Sequence, residues 1–340
     1  MTSIELIREY LMLFRIRYCA YIALLPVTGA LAMGMTHTIH LTILFIIGSL
    51  YHLWGFVMND YYDCEIDRKS PFVFNRPLAK GTISKTAALF FTVTFLFLYF
   101  LLVGLFFLNT RTLLMAIAAP FFSNIYNIAG KKFIGSDIFL AIGILCVCLL
   151  GAFSVDVDLT PAALFIALIW ALEWLYFNPM AGLKDLEFDR KSGVKTLPVF
   201  LGITTKDNRF KITWSFQLTI SFIKLCQIVL IGSLLLSPQL KESYFQSPLL
   251  LSLIFIVYGI IIFLHIRFFS PKEVDVKYYP KVAARHTVLG CLGIFLLLVP
   301  LIGYAISISL YFFFFFWLIS FNLLTYGKIK TLFPPKEKPT

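Results

Sequence analysis

Residues 41–67 read LTILFIIGSLYHLWGFVMNDYYDCEID. Residues 41–58 contain no Asp, Glu, Lys or Arg, and the next nine residues contain four acids. An apolar run of roughly 18 residues is long enough to cross a bilayer core about 30 Å thick. Asn59-Asp60-Tyr61-Tyr62-Asp63-Cys64-Glu65-Ile66-Asp67 therefore stands at the end of a membrane helix. Acids at that depth are expensive, and they are functional by default. On a helix, Asn59, Asp63 and Asp67 are spaced i, i+4 and i+8 and share one face. Three hard oxygen-bearing side chains on one stripe suit Mg²⁺, which binds carboxylate oxygen and bridges to substrate phosphates. Asp60 and Glu65 point off that stripe and read as supporting residues.

The rest of the chain repeats this pattern. Of 340 residues, 59% are hydrophobic and 14% are charged, against about 25% charged in soluble domains. Apolar runs recur near 19–35, 41–58, 87–108, 112–130, 137–154, 160–178, 212–236, 248–269 and 285–326. The last is too long for one crossing and is expected to divide near Ser307 to Ser309. The expected fold is all-α, a polytopic membrane protein of nine or ten transmembrane helices forming one domain over residues 1–340. Strands of a β-barrel would alternate apolar and polar residues, and these runs do not.

The net charge of +11 does not point to nucleic acid, because 26 of the 29 basic residues fall in six connecting or terminal segments. Only Arg111, Lys224 and Lys241 lie elsewhere. Such alternation is the positive-inside pattern and places the basic loops in the cytoplasm, together with the basic C-terminal tail if the count is ten. Nothing at the N-terminus reads as a cleavable signal. The turn carrying Glu5, Arg8 and Glu9 reads as an amphipathic helix on the membrane surface. The six cysteines show no metal-ligand spacing and receive no chemistry.

A second acidic motif, Lys184-Asp185-Leu186-Glu187-Phe188-Asp189-Arg190, ends the sixth run. Asp185 and Asp189 are again i and i+4. Two carboxylates one turn apart repel each other by a few tenths of a kcal/mol, and a metal cation reverses that sign. Asp185 follows Asp63, and Asp189 follows Asp67, by the same 122 residues. Four runs intervene, so both motifs lie on the same side of the membrane. Two parallel four-helix halves would place them across a central cavity, an arrangement known from repeat-built membrane proteins.

These residues resemble the UbiA superfamily of intramembrane prenyltransferases. The likeness rests on Asn59-Asp60-x-x-Asp63-x-x-x-Asp67 followed by Asn75-Arg76-Pro77-Leu78-x-x-Gly81-x-Ile83-Ser84. It rests equally on Asp185-x-x-x-Asp189-Arg190-x-x-Gly193-x-x-Thr196-Leu197-Pro198. The resemblance implies catalytic loops at about 59–86 and 184–211, with Asn59, Asp63, Asp67, Asp185 and Asp189 holding Mg²⁺ and diphosphate. It implies that Arg76 grips the diphosphate, with Tyr126 and Lys131 beside it, although their spacing is one residue longer than the family form and leaves Lys132 as an alternative. His52 lies seven residues before Asn59 on the same face. It reads either as a group near the diphosphate or as a hydrogen-bonded packing residue. Arg15 and Arg17 precede the first span and read as snorkelling to headgroups, with entry of one of them into the site as the alternative.

The implied reaction is Mg²⁺-dependent transfer of a prenyl group from a polyprenyl diphosphate to a lipophilic or aromatic acceptor, with a quinone-precursor ring favoured by the Asn-Arg-Pro-Leu stretch. A glycerol-phosphate lipid or another ring acceptor is the alternative. A membrane transporter is the rival from another class. Acidic helix ends flanked by basic loops suit a phosphate headgroup better than a midplane ion site.

Overall fold

The computed structural model describes residues 2–326, apart from residues 71, 72, 208, 271, 272, 277 and 278. The basic C-terminal tail lies outside the described residues. In chain order the helices are α1 (Ser3–Leu13), α2 (Cys19–Ala32), α3 (Thr38–Asp67), α4 (Pro77–Lys80), α5 (Lys85–Phe106), α6 (Thr110–Ala129) and α7 (Asp137–Phe153). They continue with α8 (Pro161–Gly182), α9 (Leu186–Lys191), α10 (Leu197–Phe200), α11 (Trp214–Leu235), α12 (Lys241–Phe245), α13 (Pro248–Phe269) and α14 (Tyr279–Tyr326).

Among the described residues, seven helices are long and apolar enough to cross a membrane, and an eighth if α1 and α2, bent by 47°, count as one span. α7 is apolar but shorter. Large side chains such as Phe90, Phe97, Leu105, Phe121, Leu218, Phe222, Leu249 and Phe263 stand exposed on the outer faces. An exposed apolar area of that extent needs lipid rather than water around it.

Two expectations are corrected. The division of the last run lies at Gly303 (φ 78, ψ 165) rather than at the serines. That backbone region is open essentially to glycine alone, and Pro300 already removes a ladder donor one turn earlier. Serine hydroxyls, by contrast, are tolerated inside helices. The fold is also not wholly helical. β1 (Thr204–Lys206), β2 (Arg209–Lys211) and β3 (Glu273–Asp275) form a small antiparallel sheet that joins the loop after α10 to the loop after α13. Three-residue strands carry too little alternation to be read from sequence, and what fixes this one is the burial of Phe210 and Val274.

α2 is buried along its whole length and packs against α3, α7, α8 and α14. Its contact with α7 is reciprocal. A methyl group on Gly29 would overlap the carbonyl oxygen of Cys148, and one on Gly151 would overlap that of Pro26. Gly29 and Gly151 differ by 122 residues, as do Pro26 and Cys148, which is the offset of the two acidic motifs. Without a hydrophobic drive between helices in lipid, such small-residue crossings let backbones approach and gain dispersion contacts.

The bundle also buries an ion network. Lys224 Nζ lies 3.1 Å from Glu173 Oε2 and 2.6 Å from Gln227 Oε1, and His286 Nδ1 lies 3.1 Å from Glu173 Oε1. These four residues join α8, α11 and α14 and are almost completely buried.

Candidate active site

The acidic end of α3 is enclosed by cations from three separate segments. Arg76 is the N-cap of α4, extended at φ −64 and ψ 144, because the ring of Pro77 disfavours a helical conformation before it. Gly81, at φ 83, ends α4 in the left-handed region, where glycine carries no Cβ penalty. This tight turn brings the Arg76 guanidinium back over α3, 2.6 Å from Asp67 Oδ2 and 3.1 Å from Asp60 Oδ1. Lys131, beyond α6, places Nζ 3.0 Å from Asp63 Oδ2 and 3.2 Å from Asp67 Oδ1. Lys132 is exposed, so of the two lysines it is Lys131 that the fold brings to the carboxylates.

The third cation is Arg15, which pairs with Asp60 and lies 4.7 Å over the Phe56 ring. It enters the acidic cluster rather than snorkelling. Arg15 sits at the bend between α1 and α2 with φ 43 and ψ 41. A non-glycine residue held there costs about 1–3 kcal/mol and persists only where its surroundings over-determine it. One such restraint is His52, whose Nε2 donates to the Phe14 carbonyl at 3.0 Å. His52 is buried, with its ring against Phe56, so of its two sequence readings the structure displays the packing one. Glu9 of α1 adds another restraint, accepting from Lys80 Nζ at 2.9 Å and Thr82 Oγ1 at 2.6 Å. α1 thereby straps the loop that carries Arg76.

Burial alone would lower the pKa of Arg76. The carboxylates of Asp60, Asp67, Asp185 and Asp63 outweigh it and hold the group above the usual arginine range. Burial likewise opposes the charge of Lys131, and Asp63 and Asp67 hold its pKa above the ordinary lysine value. Both cations therefore stay charged across physiological pH. Lys184 Nζ lies 3.9 Å from Asp185 Oδ2, whereas three other basic residues beside the motifs are engaged elsewhere. Arg68 pairs with Glu65, Arg190 donates to the Ile203 carbonyl, and Lys191 pairs with Glu187.

The second motif differs in local structure from the continuous helix expected. α8 ends at Gly182, residues 183–185 form a 3₁₀ turn, and Asp185 (φ −101, ψ 1) begins α9. Asp185 and Asp189 thus straddle a break rather than share one regular helix face. Asp189 is buried and feels the charges of Lys131 and Asp63. The backbone joins the two loops as well, since Lys195 N donates to the Lys131 carbonyl at 3.1 Å.

Among the described residues, no three His, Cys, Asp or Glu side chains converge to hold a metal ion. Mg²⁺ does not require this, since it is commonly bound by one or two carboxylates together with waters and substrate phosphates. Asp185 Oδ1 is buried with no hydrogen-bond partner, an orphaned hard acceptor that suits such an ion. Asn59 donates to Asn127 Oδ1 at 3.4 Å, which leaves its own carbonyl oxygen for a ligand. Tyr126 accepts a hydrogen bond from Asn178 Nδ2 at 2.8 Å. Asn127, Asn178 and Asp137 are polar residues around this region that the sequence reading left out. None belongs to either acidic motif, and only tertiary packing assembles them.

Comparison with known proteins agrees with this fold. Residues 23–267 match the model of the UbiA prenyltransferase family. The chain is 28% identical over 200 residues to a digeranylgeranylglyceryl phosphate synthase of Pyrococcus abyssi, covering 58% of this chain and 70% of that protein. It is 27% identical to a 4-hydroxybenzoate octaprenyltransferase of Vesicomyosocius okutanii, covering 61% and 83% of the two chains. With a 4-hydroxybenzoate geranyltransferase of Lithospermum erythrorhizon the identity is 29%, over 47% of this chain and 51% of the other. Among solved structures, a UbiA homolog from Archaeoglobus fulgidus bound to GPP and Mg²⁺ superposes with a TM-score of 0.61 at 18% identity, covering 84% of this chain and 99% of that one. A structure of digeranylgeranylglyceryl phosphate synthase superposes with a TM-score of 0.63 at 20% identity, covering 88% and 100%.

Proposed function

The chain belongs to the UbiA prenyltransferase family, and from that premise we propose that it transfers a prenyl group from a polyprenyl diphosphate to a hydroxyl-bearing lipophilic acceptor. It is an integral, multi-pass membrane enzyme, which displaces the transporter reading. The observation that carries the proposal is the set of three cations, Arg15, Arg76 and Lys131, held against the carboxylates of α3 and facing Asp185 and Asp189. Fixed positive charge interleaved with carboxylates is what a metal–diphosphate headgroup requires, and Arg adds planar, bidentate donors.

In this reading Asn59, Asp63, Asp67, Asp185 and Asp189 would share Mg²⁺ with waters and the substrate phosphates, while Arg76, Lys131, Arg15 and Tyr126 take the diphosphate oxygens. His52 acts one step removed, by fixing the bend that delivers Arg15. Bound Mg²⁺ supplies Lewis-acid neutralisation of the diphosphate. The protein's own cations stabilise the charge that develops as the diphosphate departs, on the order of 3 kcal/mol for each well-placed donor. Aromatic faces, which hold a cation by their quadrupole, would shelter the allylic cation. Siting the reaction in the bilayer keeps water from capturing it.

The loops at 59–86 and 184–211 face the cytoplasm in this proposal, by the distribution of basic residues. The reciprocal Gly29–Gly151 crossing supports two parallel four-helix halves around a central cavity, crossing the bilayer nine or ten times in all. Two acceptor classes each have an observation behind them. The Asn75-Arg76-Pro77-Leu78 stretch favours an aromatic quinone precursor, and the digeranylgeranylglyceryl phosphate synthases among the relatives favour a glycerol-phosphate lipid. The test is a membrane assay with radiolabelled geranylgeranyl diphosphate and both acceptors, with Mg²⁺ or EDTA. A Mg²⁺-dependent labelled product that vanishes in Asp63→Ala and Asp185→Ala supports the reading. Failure to consume either acceptor with any donor length overturns it.

A further inference from the structure

A further carboxylate approaches this site from outside both acidic motifs. Asp137, in the first turn of α7, accepts from Asn178 Nδ2 at 2.5 Å, and the same amide nitrogen donates to the Tyr126 hydroxyl at 2.8 Å. Only the NH₂ end of an amide satisfies a carboxylate, so both of its hydrogens are used, one on each neighbour. The result is a fixed polar chain from Asp137 through Asn178 to Tyr126, and the charges of Asp63 and Arg15 reach the Tyr126 hydroxyl from the other side.

A cavity of about 70 Å³ opens beside this chain, bounded by Tyr126, Asp137, Asn178, Gly182 and the Thr196-Leu197-Pro198 turn of α10. Thr196, one of the residues that bound it, has a buried Oγ1 with no hydrogen-bond partner. The volume has room for a small polar group but not for a whole prenyl acceptor. An acid at the start of a helix ordinarily serves the helix dipole from the surface. Asp137 is instead turned inward, and it is held by a residue that also orients Tyr126.

We propose that Asp137 is the base that receives the acceptor, binding its hydroxyl in this cavity with help from Thr196 and removing its proton. The assignment rests on the prenyl-transfer reading above. As the acceptor's O–H bond breaks, its proton goes to the Asp137 carboxylate and the oxygen bonds to C1 of the prenyl group. The C1–O bond to diphosphate has by then broken, the diphosphate has left with that electron pair, and the oxygen captures the allylic cation that remains. In a phenol the same deprotonation drives the ring carbon beside the oxygen onto C1. The ring proton then passes to the departed diphosphate, and Asp137 returns its proton to the phenolic oxygen. The shared chemistry is thus an acceptor hydroxyl, and a glycerol-phosphate lipid and a hydroxybenzoate are its two sources.

The experiment compares purified wild type with Asp137→Asn, Asp137→Glu and Thr196→Val, using geranylgeranyl diphosphate with Mg²⁺. One arm offers 4-hydroxybenzoate and the other geranylgeranylglyceryl phosphate, and donor affinity is measured separately by calorimetry. In the arm that turns over, Asp137→Asn should bind donor like wild type, lose about 100-fold in kcat and lose the acid limb of the pH–rate profile. Asp137→Glu should recover part of the rate, and Thr196→Val should raise the acceptor KM while leaving donor affinity unchanged.

Turnover by Asp137→Asn within about threefold of wild type, with the same pH profile, overturns the assignment. So does a parallel loss of donor affinity, which would make Asp137 a scaffold for Tyr126. Should Asp137→Asn fail to fold, Thr196→Val decides, and an unchanged acceptor KM rejects the cavity. If wild type transfers to neither acceptor, the prenyl-transfer reading falls, and this assignment with it.

Discussion

Lys131 Nζ lies 3.0 Å from Asp63 Oδ2, so a lysine delivered by the loop after α6 closes the acidic end of α3. The same ammonium reaches Asp67 at 3.2 Å, and its backbone carbonyl ties that loop to Lys195 beyond the second motif. One residue thus couples the two halves of the site.

Replacing Lys131 by alanine should lower kcat/KM by about 10- to 100-fold, the size expected for losing charge-assisted bonds of roughly 1.5–3 kcal/mol. Lys132→Ala should stay near wild type, because that side chain is exposed. Side-by-side assays in the same membranes test the pair, and equal losses in both would reject the assignment of Lys131.

Asp185→Asn should shift the Mg²⁺ requirement. Asp185 Oδ1 has no protein partner, so its replacement removes an ion ligand without breaking a hydrogen bond there. The Mg²⁺ concentration for half-maximal rate should rise about tenfold, since one of few protein ligands is weakened. Folding, followed by size exclusion in detergent, should not change. An unaltered Mg²⁺ titration would count against a metal at this carboxylate.

His52→Ala separates support from ligation. Loss of the bond to Phe14 should reduce stability by about 1 kcal/mol and lower activity through Arg15. Arg15→Ala combined with His52→Ala should then be little worse than Arg15→Ala alone. Independent, additive losses would return His52 to the diphosphate.

Glu173→Gln should be among the most destabilising single changes in the bundle, because it leaves Lys224 buried without its anionic partner. Breaking such a pair from one side costs about 3–5 kcal/mol, whereas replacing both members by apolar residues is often neutral. Thermal unfolding in detergent should show a large loss for Glu173→Gln and recovery in Glu173→Leu with Lys224→Met. Recovery failing in the double variant would point to a role for the charges themselves.

Gly29→Ala should destabilise by about 1–3 kcal/mol, the usual range for overpacking, because the added methyl overlaps the Cys148 carbonyl. Gly151→Ala should behave alike if the crossing is symmetric, and the two unfolding curves decide this.

The sequence by itself determined the membrane solvent, the family, the two acidic motifs and Arg76, because each is written in local terms: apolar run length, i and i+4 spacing, and a proline that sets the backbone before it. The tertiary structure decided the remainder. It chose Lys131 over Lys132, brought Arg15 onto Asp60, turned His52 toward Phe14, and set Asp137 beside Tyr126 through Asn178. It also placed the last break at Gly303 and formed the small sheet. The side-chain partners among these lie 38 to 68 residues apart. A side chain's partner across such a separation is fixed by how helices cross, and close crossings like that of Gly29 and Gly151 exist only once the backbones are packed.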